Sequence, residues 1–135
     1  MDYTFLMDRT NEFSFILKPS EHGVGVFATH DIVTGTHLRL FGDGETITDR
    51  SVLRKKIDVP EIFQEYCADG GESLICPVDF GQMQIGWYLN HSNTPNATRD
   101  DDYKWYALLN IEAGEEITID YKSLEEPKEA REAYY

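Results

Sequence analysis

One short pattern occurs twice in this chain, and 135 residues leave room for a single hydrophobic core to hold both copies. Phe27-Ala28, Asp31-Ile32, Gly35, Leu38 and Leu40 recur at a constant offset as Tyr106-Ala107, Asn110-Ile111, Gly114, Ile117 and Ile119. Each copy reads as strand, turn and strand, with a glycine punctuating the turn and apolar residues alternating after it. Two copies are too few for a solenoid, whose stacked units need about three or more to cover their apolar faces. The repeat therefore predicts pseudo-symmetry inside one β-rich domain over 1–135, with its core at about 14–121.

The segments around the repeat carry their own signals. Residues Phe13 to Lys18 alternate and are rich in β-formers, and Pro19, Ser20, His22, Gly23 and Gly25 then break the pattern. That predicts a strand and a glycine loop, followed by short strands at Val24 to Ala28 and His37 to Phe41. Between the two copies, Thr48 or Asp49 is placed to cap a helix through Lys56, and Pro60 to open a second through Cys67. Together they predict a helical insert over about 49–68, ended by Gly70-Gly71. Leu74 to Val78 reads as a further strand, and Lys122 to Tyr135 as a short helix or frayed tail.

Charge narrows the partners. Asp and Glu number 25 against 12 Lys and Arg, a formal charge of -13. Nucleic acid is a poor ligand for such a chain, because phosphate contacts need clustered cations that release counterions. A basic protein or peptide carrying lysine is instead drawn inward by the negative field. Cys67 and Cys76 are too few for a disulfide framework or a four-cysteine zinc site, and are expected to be free thiols. No run of about 18 apolar residues marks a membrane span, so a soluble intracellular protein is expected, cytoplasmic or nuclear. His22, His30, His37 and His91 follow no ligand spacing, which leaves a metal-dependent hydrolase without support.

The richest stretch for chemistry is Asn90-His91-Ser92, running into a Pro95-Asn96 turn. Hydrogen-bonding side chains gather there beside turn backbone that lacks partners, an arrangement able to read a polar heterocycle or to satisfy the loop itself. Asn90-His91-Ser92-Asn93-Thr94-Pro95-Asn96, followed by Gly114-Glu115-Glu116-Ile117-Thr118-Ile119-Asp120-Tyr121, resembles the signature pair of SET domains. Gly23-Val24-Gly25-Val26-Phe27-Ala28 is similar to that family's first motif, and all three stand in the family's order.

The resemblance implies a mainly β, β-clip-like fold of several small sheets, with a short helical insert and a C-terminal segment threaded beneath a loop. It also implies a protein-lysine methyltransferase that uses S-adenosyl-L-methionine. On it, His22, Gly23, Val24 and Gly25 lie against the methionine part of the cofactor, and Asn90 and His91 hold its amino group and adenine. Tyr121 then borders the methyl-transfer channel as the catalytic residue. The glycines suit the role, since they allow positive φ and close approach of a ligand to the backbone.

Departures from the family pattern carry expectations too. Asn93 stands where many SET domains have a zinc-binding cysteine, and the cysteine-rich tail is also missing. No metal is therefore expected, and Lys122 to Tyr135 is left to close the channel. Phe41, Tyr88 and Tyr106 are the candidate channel residues. Phe41 and Arg99 fall near positions where family members place channel tyrosines, so fewer hydroxyls would line it. An alternative follows: a catalytically inactive SET-like module that binds S-adenosyl-L-methionine or a basic peptide. A homodimer that completes the channel is compatible with so small a domain.

Overall fold

The computed structural model describes residues 10–21, 23–41, 51–69, 72–102 and 104–124. Three small sheets dominate it, as the mainly β expectation requires. The first orders its strands as β1 (Phe15–Ser20), β2 (Gly23–Ala28), β10 (Glu116–Ile119) and β7 (Asn90–His91). The second holds β3 (His37–Leu38), β9 (Trp105–Ala107) and β8 (Ala97–Arg99). The third, built by the insert, orders β4 (Ser51–Lys55), β6 (Ser73–Pro77) and β5 (Ala68–Asp69).

The two copies of the repeat clasp each other reciprocally. Ile32 and Ile111 exchange both backbone hydrogen bonds at 2.7 Å. The Gly35 N–H reaches the Ala107 carbonyl and the Gly114 N–H reaches the Ala28 carbonyl, both at 2.8 Å. Side chains repeat the exchange: Asn110 Oδ1 accepts from the Thr34 N–H and Asp31 Oδ1 from the Ala113 N–H. Gly35 and Gly114 both have positive φ, 87° and 91°, with open space around them, so backbone conformation alone demands glycine there. The apolar positions of both copies then fall into one core. Val26 and Ile117, paired in register between β2 and β10, are fully buried at its centre with Leu38, Leu40 and Ile111 around them. Truncating such a side chain to Ala costs about 2–5 kcal/mol.

The insert differs from its expected form. Residues 51–55, predicted as helix, are strand β4, paired antiparallel with β6 from Ser51↔Pro77 to Lys55↔Ser73. A partner strand some twenty residues on satisfies the backbone of Val52 and Leu53, and this tertiary pairing overrides the local capping signal. Thr48 and Asp49 lie outside the described residues. Pro60 does precede a helix, α1 (Glu61–Gln64), but α1 stops short of Cys67. The Gln64 side-chain amide turns back to the carbonyls of Lys56 and Val59, at 3.2 and 2.9 Å. Val59, Leu74 and Cys76 make a second small core beneath the insert. The strand expected at His37 to Phe41 is confined to β3. Gly70-Gly71 and 125–135 lie outside the described residues, and among those described no helix is long and apolar enough to cross a membrane.

Candidate active site

The two distant motifs meet because β10 runs parallel to β7, with Thr118 opposite Asn90 and Ile119 opposite His91. The Ser92 N–H extends the pairing to the Ile119 carbonyl at 2.9 Å. Asn96 then completes the edge with a side chain in place of a strand. Its Nδ2 donates to the Glu116 carbonyl and its Oδ1 accepts from the Thr118 N–H, both at 2.8 Å. The buried amide thus pins β10 beside the 90–97 segment and fixes where the chain emerges at Tyr121.

Tyr121 opens a 3-10 turn, Tyr121–Leu124, directly beyond β10. Its backbone N–H donates to His91 Nδ1 at 3.0 Å. Nδ1 thus accepts from the backbone, and on the other side of the ring Nε2 lies 3.0 Å from Asn93 Oδ1. The Tyr121 ring tilts against His91 with centroids 5.1 Å apart, and its hydroxyl donates to the Leu89 carbonyl at 2.8 Å. Burial first, then the negative charges of Glu116 and Glu65, push the Tyr121 phenol above its ordinary range. It stays protonated at neutral pH, with oxygen lone pairs left to accept.

Asn90 ties this crossing to the glycine hairpin between β1 and β2. Its Nδ2 lies 3.1 Å from the Val24 carbonyl, 3.2 Å from Ser20 Oγ and 2.7 Å from Glu116 Oε2. Asn90 Oδ1 meets no donor among the described residues. Gly23 has φ 107°, a conformation glycine allows, but Gly25 does not have positive φ. Space is what Gly25 provides. A Cβ there would collide with the Glu116 carboxylate and stand 3.0 Å from Ser20 Cβ. Val24, between the two glycines, is exposed, and His22 lies outside the described residues.

The SET-domain family model matches residues 23–122. This chain belongs to the SET-domain family. Among solved structures, this SET domain is similar to a Plasmodium falciparum protein classed as a histone methyltransferase, at 21% identity and a TM-score of 0.52, covering 82% of this chain and 95% of that one. It is also similar to KRYPTONITE in complex with mCHG DNA and SAH, at 22% identity and a TM-score of 0.52 over 82% of this chain. KRYPTONITE with mCHH DNA, an H3(1-15) peptide and SAH gives the same identity and TM-score over 86%. This chain spans only 24% to 25% of KRYPTONITE's length, and at these identities the likeness is one of fold. No curated protein sequence matches the chain.

The candidate channel residues of this SET domain divide. Phe41 packs against the main core and meets Trp87 edge-on at 5.4 Å, fitting closely because Gly86 has no side chain to obstruct it. Tyr88 precedes Leu89, packs against the same core, meets Tyr66 at 5.4 Å and directs its hydroxyl to Met83 Sδ at 3.7 Å. Tyr106 shares none of these contacts among the described residues. Strand alternation turns it to the face of β9 opposite Trp105 and Ala107, where it meets the His37 ring at 5.5 Å and the Asp100 carboxylate. Arg99, on β8 opposite Trp105, donates to the Asp100 carbonyl at 3.1 Å.

Ser20, Leu89, Asn96 and Glu116 joined the site without a role assigned to them from sequence, although Asn96 and Glu116 stand inside the two signature motifs. For Glu116 a signal was present: alternation with buried Ile117 and Ile119 puts Glu116 and Thr118 on the Asn90 face of β10. Among the described residues no three His, Cys, Asp or Glu side chains gather as a metal site. His30 is held by Ser14 Oγ and the Asp31 carbonyl, away from any ligand role with His37 or His91.

Proposed function

We propose that this SET domain transfers a methyl group from S-adenosyl-L-methionine to the side-chain amine of lysine in a basic protein or peptide. The observation that carries the reading is the convergence of Asn90, His91 and Tyr121 with the Gly23-Val24-Gly25 hairpin at one parallel crossing. The groups present fit the cofactor's chemistry. Asn90 Oδ1, the Val24 carbonyl and the Glu116 carboxylate form an acceptor-rich, negative surface, suited to a ligand bearing an ammonium and a sulfonium. In this reading His22, Gly23, Val24 and Gly25 back the methionine part, and Asn90 and His91 hold the amino group and adenine. When bound, the cofactor supplies an electrophilic methyl group.

The chain's own residues then have two tasks. Tyr121, its hydrogen committed to Leu89, offers lone pairs that accept an N–H of the incoming amine and so aim the nitrogen. A protonated phenol cannot serve as a base at neutral pH, so Tyr121 positions the amine, and the lysine proton leaves to solvent. Ionised lysine, with a pKa of about 10.4, resists this by about 4–5 kcal/mol at pH 7. An aromatic wall, for which Tyr121, Tyr88 and Phe41 are the candidates, would desolvate the ammonium and lower that barrier, whereas acidic side chains raise it. Acids are therefore useful at the rim, where they attract a basic substrate.

KRYPTONITE, similar in fold, is known in complex with an H3(1-15) peptide, which supports a basic peptide as the substrate class. The second reading, a module that binds without turnover, is favoured by Phe41, which brings no hydroxyl and is packed edge-on to Trp87. Release of S-adenosylhomocysteine from S-adenosyl-L-methionine, measured with a panel of basic proteins, separates the two. Release that depends on the added protein is the expected result. Saturable cofactor binding with no release on any substrate would replace the enzyme by the binding module.

A further inference from the structure

Glu116 belongs to the second signature motif, and its contacts tie that motif to Asn90 and to the hairpin. One carboxylate oxygen lies 2.7 Å from Asn90 Nδ2 and the other accepts, at 3.4 Å, from the Ser20 hydroxyl. It therefore bridges β7 to the β1 end of the hairpin from its own position on β10. Asn90 Nδ2 has two hydrogens and three acceptors within reach, and the shortest contact is to the charged one. Glu116, Val24 and Ser20 all offer acceptors to its nitrogen, which sets the orientation of the Asn90 amide and leaves Oδ1 available to accept. Gly25 is the structural counterpart, because any side chain there would displace the carboxylate.

We propose that Glu116 is a positioning residue that locks the Asn90 amide and lends it negative charge, so that this site selects ligands carrying an amino-acid ammonium. The proposal rests on the cofactor reading above and deepens it. A neutral amide at position 116 keeps the size of the side chain and loses the charge, and its NH2 group can force Asn90 to turn over. A ligand's ammonium then faces a donor instead of an acceptor. Ligands without an ammonium have nothing to lose at this point.

The test is calorimetric titration of wild type and Glu116→Gln with S-adenosyl-L-methionine, S-adenosylhomocysteine and 5′-methylthioadenosine, which lacks the amino-acid portion. Thermal melts run alongside. Charge-assisted hydrogen bonds of this kind correspond to a loss of about tenfold or more in affinity. Glu116→Gln is expected to lower the preference for S-adenosylhomocysteine over methylthioadenosine by about that factor, and Glu116→Asp to lower it less. A merely structural role would weaken all ligands together, so an unchanged preference overturns the proposal even if affinity or melting temperature falls. Wild-type protein that binds none of the three overturns the cofactor reading itself and takes this inference with it. Wild-type binding with an unchanged preference overturns the inference alone.

Discussion

The Tyr121 hydroxyl donates its hydrogen to the Leu89 carbonyl at 2.8 Å, which leaves that oxygen an acceptor toward anything approaching from outside. Tyr121→Phe removes the acceptor and keeps the ring against His91. Turnover is expected to fall by about a hundredfold or more, the usual scale for a lost positioning group at a reacting centre. Cofactor affinity should stay within about twofold and stability should fall by about 1 kcal/mol. Initial rates, calorimetry and urea unfolding of the variant check all three, and an unchanged rate removes Tyr121 from the mechanism.

Asn96 should matter for folding more than its place in a loop would indicate. Asn96→Ala leaves the Glu116 carbonyl and the Thr118 N–H without their partner at a buried crossing. Each unpaired buried group costs about 1–3 kcal/mol, so a loss of about 2–5 kcal/mol is expected by denaturant unfolding. A loss below about 0.5 kcal/mol would mean that β10 is held beside β7 by the backbone ladder alone.

Gly23 and Gly25 should respond differently to the same substitution. Gly25→Ala drives a methyl group into Glu116 and Ser20, and is expected to weaken S-adenosyl-L-methionine by about tenfold with the fold retained. Gly23→Ala meets open space but keeps φ at 107°, so its cost of about 1 kcal/mol should appear in stability. Melting curves and titrations of both variants compare them, and equal effects on binding would contradict the assignment of Gly25 to the Glu116 contact.

Burial, with a hydrogen bond to Cys76 next in importance, pushes the Cys67 thiol up to about 12. Its protonated form is the one the fold favours. The stability this contributes is complete below about pH 9, where the unfolded thiol ionises, and is lost as pH rises from there toward about 12. Alkylation of Cys67 by iodoacetamide at pH 8 should accordingly be far slower in the folded chain than in urea. Equal rates, followed by mass spectrometry, would show that the thiol is not held in this way.

Much of the fold was legible because its signals are short in range or repeated. Ile32 and Ile111, Gly35 and Gly114, and Asp31 and Asn110 announced a pseudo-symmetric pair from sequence, and the reciprocal bonds between them are its physical content. Strand β4 was not legible. Its helix-like cap signal is local, whereas its partner β6 lies beyond α1. The site was legible as motifs but not as a network. Asn90, His91 and Tyr121 could be named, yet the role of Glu116 needed the parallel register that sets β10 on β7, and Gly25 needed Glu116. The face taken by Tyr106 was not legible either, because an aromatic residue in a strand does not declare its side, and the pairing of β9 with β3 sets it beside His37.

The most direct measurement is mass spectrometry of basic proteins, an H3(1-15) peptide among them, after incubation with this chain and S-adenosyl-L-methionine carrying a deuterated methyl group. The expected result is a labelled methyl on a lysine Nζ with wild-type protein and its near-complete loss with Tyr121→Phe. Label absent from every lysine, or present to the same extent with the variant, would contradict methyl transfer at this site.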